Sequence, residues 1–220
     1  MTLSAIKIET APNPKVSVIW MHGLGADGSD FVPIVKELDL TGCPPIRFVF
    51  PNAPQIPVSV NGGYVMPAWY DIRAADLLVR EDEAGLRSSQ AAIEELIAIE
   101  KAAGAEKIIL AGFSQGCAMA LQTGLRQATP LAGLLCLSGY LPLHQLVGQE
   151  RNPANQQVPI FLAHGRSDPV IQLHRATQSR DALIGMGYAV EWHEYDMQHT
   201  VSIQEIADMG SWLRRVLKVG

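Results

Sequence analysis

The residues with the clearest chemical potential are Gly112-Phe113-Ser114-Gln115-Gly116, set between the apolar run Lys107 to Ala111 and a helix-like stretch from Cys117 to Arg126. A strand that reverses into a helix within so few residues forces its middle residue into a strained conformation. Minimal side chains on either side avoid a clash, and the hydroxyl of Ser114 is presented at a helix N-terminus, the arrangement of a G-x-S-x-G nucleophile elbow. A serine hydroxyl is a poor nucleophile at neutral pH. The pattern therefore calls for a histidine base, a carboxylate to orient it, and amide donors for a developing oxyanion.

In this topology the partners follow in the order Ser, Asp, His. Asp168 lies in His164-Gly165-Arg166-Ser167-Asp168-Pro169, just past the apolar run Pro159 to Ala163. It is thus placed at the C-terminal end of a strand, where ligand sites of open α/β sheets gather. His199 occupies the equivalent loop after the next strand, Ala189 to Tyr195, and is read as the base. His193 falls inside that strand pattern, His174 inside a helix pattern, and His144 precedes both nearby carboxylates, Asp168 and Asp196. Asp196 is on the histidine's own loop, whereas Asp168 approaches across the sheet, so Asp168 is the preferred acid. The oxyanion donors are expected to be the amide of Gln115, next to the nucleophile, and that of Leu24 in the glycine-flanked loop His22-Gly23-Leu24-Gly25.

The same early loop fits a second pattern. Gly23-Leu24-Gly25-Ala26-Asp27-Gly28 matches G-x-G-x-x-G after a strand, as a nicotinamide-dependent oxidoreductase would require. Such a site wants an acidic residue about 20 positions on to hold the ribose. The next strand ends Phe48-Val49-Phe50-Pro51-Asn52 without one, so Gly28 is read as a coincidence at a helix start. No HExxH, EF-hand or Walker pattern is present, and the glycines after His22 and His164 suggest turn roles, so neither metal nor cofactor is expected.

The elements that must position these groups are short apolar runs alternating with helical patterns, the signature of a mainly parallel α/β sheet. Buried strands are expected at Val16 to Met21, Arg47 to Phe50, Lys107 to Ala111, Gly133 to Leu137, Pro159 to His164 and Ala189 to Tyr195. Helices are expected from Ala84 to Ala103, where Glu94, Glu95 and Glu100 intersperse the apolar positions, from Gln172 to Met186 and from Val201 to Leu217. Pro51 to Asp71 resists assignment, because four prolines remove ladder donors and Gly62-Gly63 supplies a turn. A connection of this length is commonly functional. With no linker, repeat or shift in composition, residues 1–220 are read as one domain.

Composition sets outer limits. Of 220 residues, 48% are hydrophobic and 18% charged, which is globular and not disordered. Seventeen Lys+Arg against 22 Asp+Glu leave a formal charge of -5 and no basic surplus, so neither nucleic acid nor an anionic membrane surface is an expected partner. Cys43, Cys117 and Cys136 lack CxxC spacing and are read as free thiols. Without a basic, apolar leader or a run of about 18 apolar residues, a cytoplasmic protein with no stable membrane insertion is expected.

Taken together, these blocks resemble the small carboxylesterases and acyl-protein thioesterases of the α/β-hydrolase superfamily. The likeness is carried by His22-Gly23-Leu24-Gly25, Pro51-Asn52-Ala53-Pro54, Gly62-Gly63-Tyr64, Pro67-Ala68-Trp69-Tyr70-Asp71, the elbow, His164-Gly165 through Asp168, and His199 with Glu205-Ile206. The resemblance implies an α/β-hydrolase fold without a large cap, with Ser114, Asp168 and His199 as triad and Leu24 and Gln115 as oxyanion donors. It implies carboxylesterase activity on short to medium acyl esters through an acyl-enzyme, with thioester or lysophospholipid hydrolysis by the same triad as the alternative. A small-molecule ester or thioester substrate, no cofactor, and a homodimer in some members follow from it. Trp69, Met66 and Phe113 would contact the acyl group. Two departures stand out: Cys117 follows the elbow where relatives usually have Gly, and Tyr195-Asp196-Met197-Gln198 precedes the histidine where they usually have Pro and Gly. A non-catalytic relative that kept only the pocket is a rival reading, against which the complete constellation argues.

Overall fold

The computed structural model describes residues 3–74 and 79–218. Nine strands, β1 (Ala5–Glu9), β2 (Val16–Met21), β3 (Ile46–Pro51), β4 (Gln55–Val58), β5 (Tyr64–Pro67), β6 (Lys107–Phe113), β7 (Gly133–Leu137), β8 (Ile160–Gly165) and β9 (Val190–Tyr195), alternate with six helices among the described residues. The helices are α1 (Ile34–Glu37), α2 (Glu83–Ala102), α3 (Gln115–Arg126), α4 (His144–Glu150), α5 (Leu173–Gly185) and α6 (Ile203–Leu217).

Seven strands form one sheet in the order β1-β3-β2-β6-β7-β8-β9. All neighbours run parallel except β1, which lies antiparallel on β3. All six residues of β2 are buried, as expected of a strand covered on both faces. Its side chains alternate between two cores. Ile19 and Met21 pack with Ile93 and Ile97 of α2 and with α3, while Val18 and Trp20 pack with Ile34 of α1 and with Met209, Trp212 and Leu213 of α6.

The six expected strands are present. Two regions whose strands the sequence does not predict are informative. The edge strand β1 has only half-buried and exposed positions and so lacks a continuous apolar run. It is held partly through Glu100 of α2, which is fully buried. Lys7 Nζ and Ser17 Oγ each donate to its carboxylate at 2.7 Å, and Arg47 donates at 3.1 Å. Burial pushes this carboxyl up, but those three donors outweigh it and hold it below the ordinary range. The Pro51 to Asp71 segment is also structured: β4 and β5 pair antiparallel as a separate hairpin, closed through Gly62 and Gly63 at φ 67° and 79°. Each strand of a two-stranded ribbon keeps one free edge, so Pro57 and Pro67 fit without breaking the ladder.

Because β2, β6, β8 and β9 run parallel, the loops that follow them open on one rim of the sheet. Those loops carry Leu24, Ser114, Asp168 and His199.

Candidate active site

At the end of β6, Ser114 adopts φ 56° and ψ -117°, a region that non-glycine residues rarely occupy, and α3 begins at the next residue. The flanking glycines are steric necessities. A Cβ at Gly112 would collide with the Gly116 backbone, and a Cβ at Gly116 would collide with the Met21 carbonyl of β2. The Ser114 amide donates to Leu137 O of β7 at 2.9 Å, which ties the turn to the sheet. Ser114 is 9% exposed and faces the N-terminal end of a twelve-residue helix, where aligned peptide dipoles favour developing negative charge. Cys117 fits in the first turn of α3 because its neighbour just beyond the end of β7 is Gly139, where any Cβ would overlap the Cys117 side chain.

Asp168 and His199 meet across the rim. The His199 Nδ1 lies 2.6 Å from Asp168 Oδ2, and the carboxylate is inaccessible to solvent. The other oxygen, Oδ1, accepts the amides of Val170 and Ile171 at 2.8 and 2.9 Å. Burial pushes the Asp168 carboxyl up, but the His199 ring N–H and the two amides prevail and hold it below the ordinary carboxylate range. A deprotonated Asp168 accepts, so His199 carries its proton on Nδ1 and leaves Nε2 as the free base. The two loops interlock: Arg166 N donates to Tyr195 O, Ser167 N donates to Met197 O, and a Cβ at Gly165 would collide with the Met197 and Gln198 carbonyls. Asp196 points elsewhere, paired with Arg166 at 2.7 Å and exposed.

The His199 ring packs on Phe113, with centroids 4.7 Å apart, directly beside Ser114. Among the described residues no hydrogen bond joins His199 to Ser114 Oγ. Such bonds often tighten only when a substrate is bound. The early loop closes the other side: a Cβ on Gly23 would stand 3.4 Å from Ser114 Cβ, and Gly25, at φ 77°, donates its amide to Pro67 O at 2.8 Å. Leu24 sits between those anchors, and Gln115 is the first residue of α3, a position whose N–H has no partner within the helix.

The three residues assigned to acyl contact separate. Phe113 is half-buried under the His199 ring, and Met66 is half-buried with its Sδ near Gly25, so both border the site. Trp69 does not wall a groove. It is 1% exposed, and its indole N–H donates to His22 O at 2.9 Å, which places it in the core beneath the loop. An open groove of about 670 Å³ instead runs from Leu24 between Val60 and Ile72 of the hairpin region and Pro169, Val170 and Ile171 beyond the acid. Gly28 is also corrected: it starts no helix. A Cβ there would collide with the Phe50 carbonyl, and its amide donates to Asn52 Oδ1 at 2.8 Å. The G-x-G-x-x-G loop leads only to four-residue α1, which offers no dipole comparable with that of α3.

Two buried histidines escaped the sequence reading as more than turn residues. His164, at the end of β8, donates from Nε2 to Ile171 O at 2.7 Å and stands 3.4 Å from Asp168 Oδ2. His22, at the end of β2, engages both ring nitrogens. Burial lowers the pKa of each. The only available signal was the H-G pair after each strand. Among the described residues no cluster of three or more His, Cys, Asp or Glu is arranged to hold a metal, and no helix is long and apolar enough to cross a membrane.

A family profile described as phospholipase/carboxylesterase matches residues 3–217. The chain is 38% identical over 221 residues to an acyl-protein thioesterase 1 of Yarrowia lipolytica, covering 97% of both chains. It is 39% identical over 206 residues to the protein of the same name in Neurospora crassa, covering 86% of this chain and 82% of that one. Among solved structures, Zea mays acyl-protein thioesterase 2 superposes with a TM-score of 0.85 at 28% identity, covering 96% of this chain and 99% of that one. Arabidopsis thaliana SOBER1 superposes with a TM-score of 0.87 at 27% identity, covering 92% and 99%.

Proposed function

This chain belongs to the phospholipase/carboxylesterase family of α/β-hydrolases, and on that premise we propose that it is a serine hydrolase of acyl thioesters, with oxygen esters as secondary substrates. The observation that carries the reading is the 2.6 Å bond between Asp168 and His199 on the rim where the strained Ser114 emerges. His199 Nε2 takes the Ser114 proton as Oγ attacks the acyl carbonyl, and the Leu24 and Gln115 amides receive the negative charge of the tetrahedral oxygen. The protonated imidazole gives its proton to the departing sulfur or oxygen. The acyl group stays on Ser114 until water, deprotonated by the same imidazole, attacks the ester and restores the serine. Asp168 keeps the imidazole in the Nδ1–H tautomer throughout.

The sequence reading put carboxylesterase first and thioesterase second. The names of the fungal relatives support the reverse order, since those proteins are acyl-protein thioesterases and match nearly the whole chain. The apolar groove from Leu24 to Ile171 supports an acyl chain of some length in either case. The test pairs an S-acyl and an O-acyl substrate of identical chain, with active sites counted by a fluorophosphonate. The expected result is stoichiometric labelling of Ser114, a higher kcat/KM for the thioester, and a loss of roughly 10⁴-fold or more in Ser114→Ala. Near-wild-type turnover in Ser114→Ala overturns the assignment, and a clear preference for the oxygen ester overturns the order of substrates.

A further inference from the structure

The two proposed oxyanion donors come from different parts of the chain, one in the loop after β2 and one at the start of α3. Neither peptide is held by a strand ladder, yet their separation must be fixed to a fraction of an ångström for both to reach one oxygen. Trp69, which the sequence reading placed in the acyl groove, touches both sides. Its backbone N–H donates to Gln115 Oε1 at 3.0 Å, and the Gln115 side-chain amide donates to Tyr70 O at 2.9 Å. Its indole N–H donates to His22 O at 2.9 Å, two residues before Leu24, and its ring lies 5.3 Å from the His22 ring. Its own carbonyl accepts the Ser89 hydroxyl of α2, so the residue is anchored independently of the site.

His22 completes the brace. A carbonyl can only accept, so Nδ1–H donates to Gly23 O at 2.7 Å, and the unprotonated Nε2 accepts the Ala53 amide at 3.0 Å. The loop bearing Leu24 is thereby fastened to the chain beyond β3, and the helix start bearing Gln115 is fastened to the same Trp69. All four side chains that make these bonds, Trp69, Gln115, His22 and Ser89, are buried. Such a network costs free energy when one member loses its partner, which gives it rigidity.

We propose that Trp69 is a positioning residue that yokes the two halves of the oxyanion hole, acting through the Gln115 side chain on one side and the His22 carbonyl on the other. The inference rests on the serine-hydrolase reading. It predicts that loosening the yoke weakens transition-state binding more than substrate binding, because the oxyanion exists only in the transition state.

The experiment uses the full chain with Trp69→Phe, which removes the indole N–H and keeps a ring, and Gln115→Met, which removes both side-chain hydrogen bonds at similar length. Each variant is measured for kcat and KM on a thioester, for inhibition by an alkyl boronic acid whose adduct places an oxygen in the hole, and for its melting temperature. Rates are normalised to Ser114 counted by fluorophosphonate. The expected result is a 10- to 100-fold fall in kcat with KM within about threefold, a matching rise in the boronate inhibition constant, and a double variant no worse than about the poorer single one. Unchanged kcat and boronate inhibition per labelled site, or effects that simply multiply in the double variant, overturn the proposal. If Trp69→Phe fails to fold, Gln115→Met alone decides by the same two constants. An unlabelled, inactive wild-type protein is a different outcome, which refutes the hydrolase reading and this inference with it.

Discussion

Replacing Glu205 by Gln is expected to leave the protein equally stable in acid and to make it markedly more stable in base. Glu205 sits in the first turn of α6, where its amide donates to Ser202 Oγ at 3.1 Å and its Oε2 accepts the Ser202 amide at 3.4 Å, a reciprocal capping box. The side chain is fully buried and its Oε1 has no partner. Burial pushes the carboxyl up from 4.5 to about 8, opposed by the Ser202 amide and assisted by the neighbouring Asp208. The folded value lies above the unfolded one, so the contribution of this group is complete below about pH 4.5 and is lost as pH rises to about 8. Over that window the unfolded chain releases a proton that the folded chain keeps, at about 1.4 kcal/mol per pH unit. The accumulated loss is roughly 3 to 5 kcal/mol. Gln preserves the capping box and occupies the unpartnered position with an amide in place of a protonated oxygen, so the pH-independent costs nearly cancel. Urea unfolding at pH 5, 7 and 9 is the assay: the variant should match wild type within about 1 kcal/mol at pH 5 and exceed it by about 3 kcal/mol or more at pH 9. A difference that stays constant across pH, or a variant less stable at pH 9, refutes the argument that burial keeps this carboxyl protonated.

Asp168→Asn should fold normally and lose roughly 10⁴-fold in turnover, because the amide cannot hold His199 in the Nδ1–H tautomer; a loss below tenfold in steady-state kinetics removes Asp168 from the mechanism. The folded Asp168 value is depressed, so its stabilisation is present above the unfolded value and lost as pH falls, and the variant should flatten the acid limb of the unfolding profile below about pH 4. His164 has the sign opposite to Glu205. Its folded value is lowered by burial despite the Ile171 carbonyl and Asp168, so stability should fall as pH drops below about 6.5, by up to about 1.4 kcal/mol per pH unit. His164→Gln should lack that slope, so the difference between the two unfolding curves should change with pH below about 6.5, and parallel curves would show that the ring is not held neutral.

The parts of the fold that could be read directly were those covered on both faces. The core strands β2, β6, β7 and β8 are buried along nearly their whole length, and a doubly covered parallel strand must be written as an unbroken apolar run. Strand β1 and the β4–β5 hairpin have an uncovered side, so their residues alternate or include proline, and they resemble loops in sequence. The helices α1 and α4, with four and seven residues, are too short for an apolar period to repeat. The burial of Glu100 was not legible for a related reason. At helical spacing a buried glutamate and an exposed one look alike, and only Lys7, Ser17 and Arg47, brought together from three other places in the chain, distinguish them.

The same distinction separates the glycine motif that sets a hydroxyl at the head of a long helix from the one that leads to a helix of four residues. Both G-x-S-x-G and G-x-G-x-x-G follow a buried strand, and in both a glycine Cβ would strike a backbone carbonyl, that of Met21 or of Phe50. Close packing of backbone explains the glycines in each case and therefore cannot by itself indicate chemistry. What differs is what comes next: twelve residues of α3 with a hydroxyl at its head, against four residues of α1. The spacing of Asp168 and His199 carried the difference in sequence, because each independently fell in a loop after a parallel strand, and strand direction alone brings such loops to one rim. Trp69 had no such spacing. Its bonds are to a main-chain carbonyl, an amide side chain and a serine hydroxyl, partners that nearly any sequence can supply. A residue that acts by holding backbone in place becomes visible only once the backbone is placed.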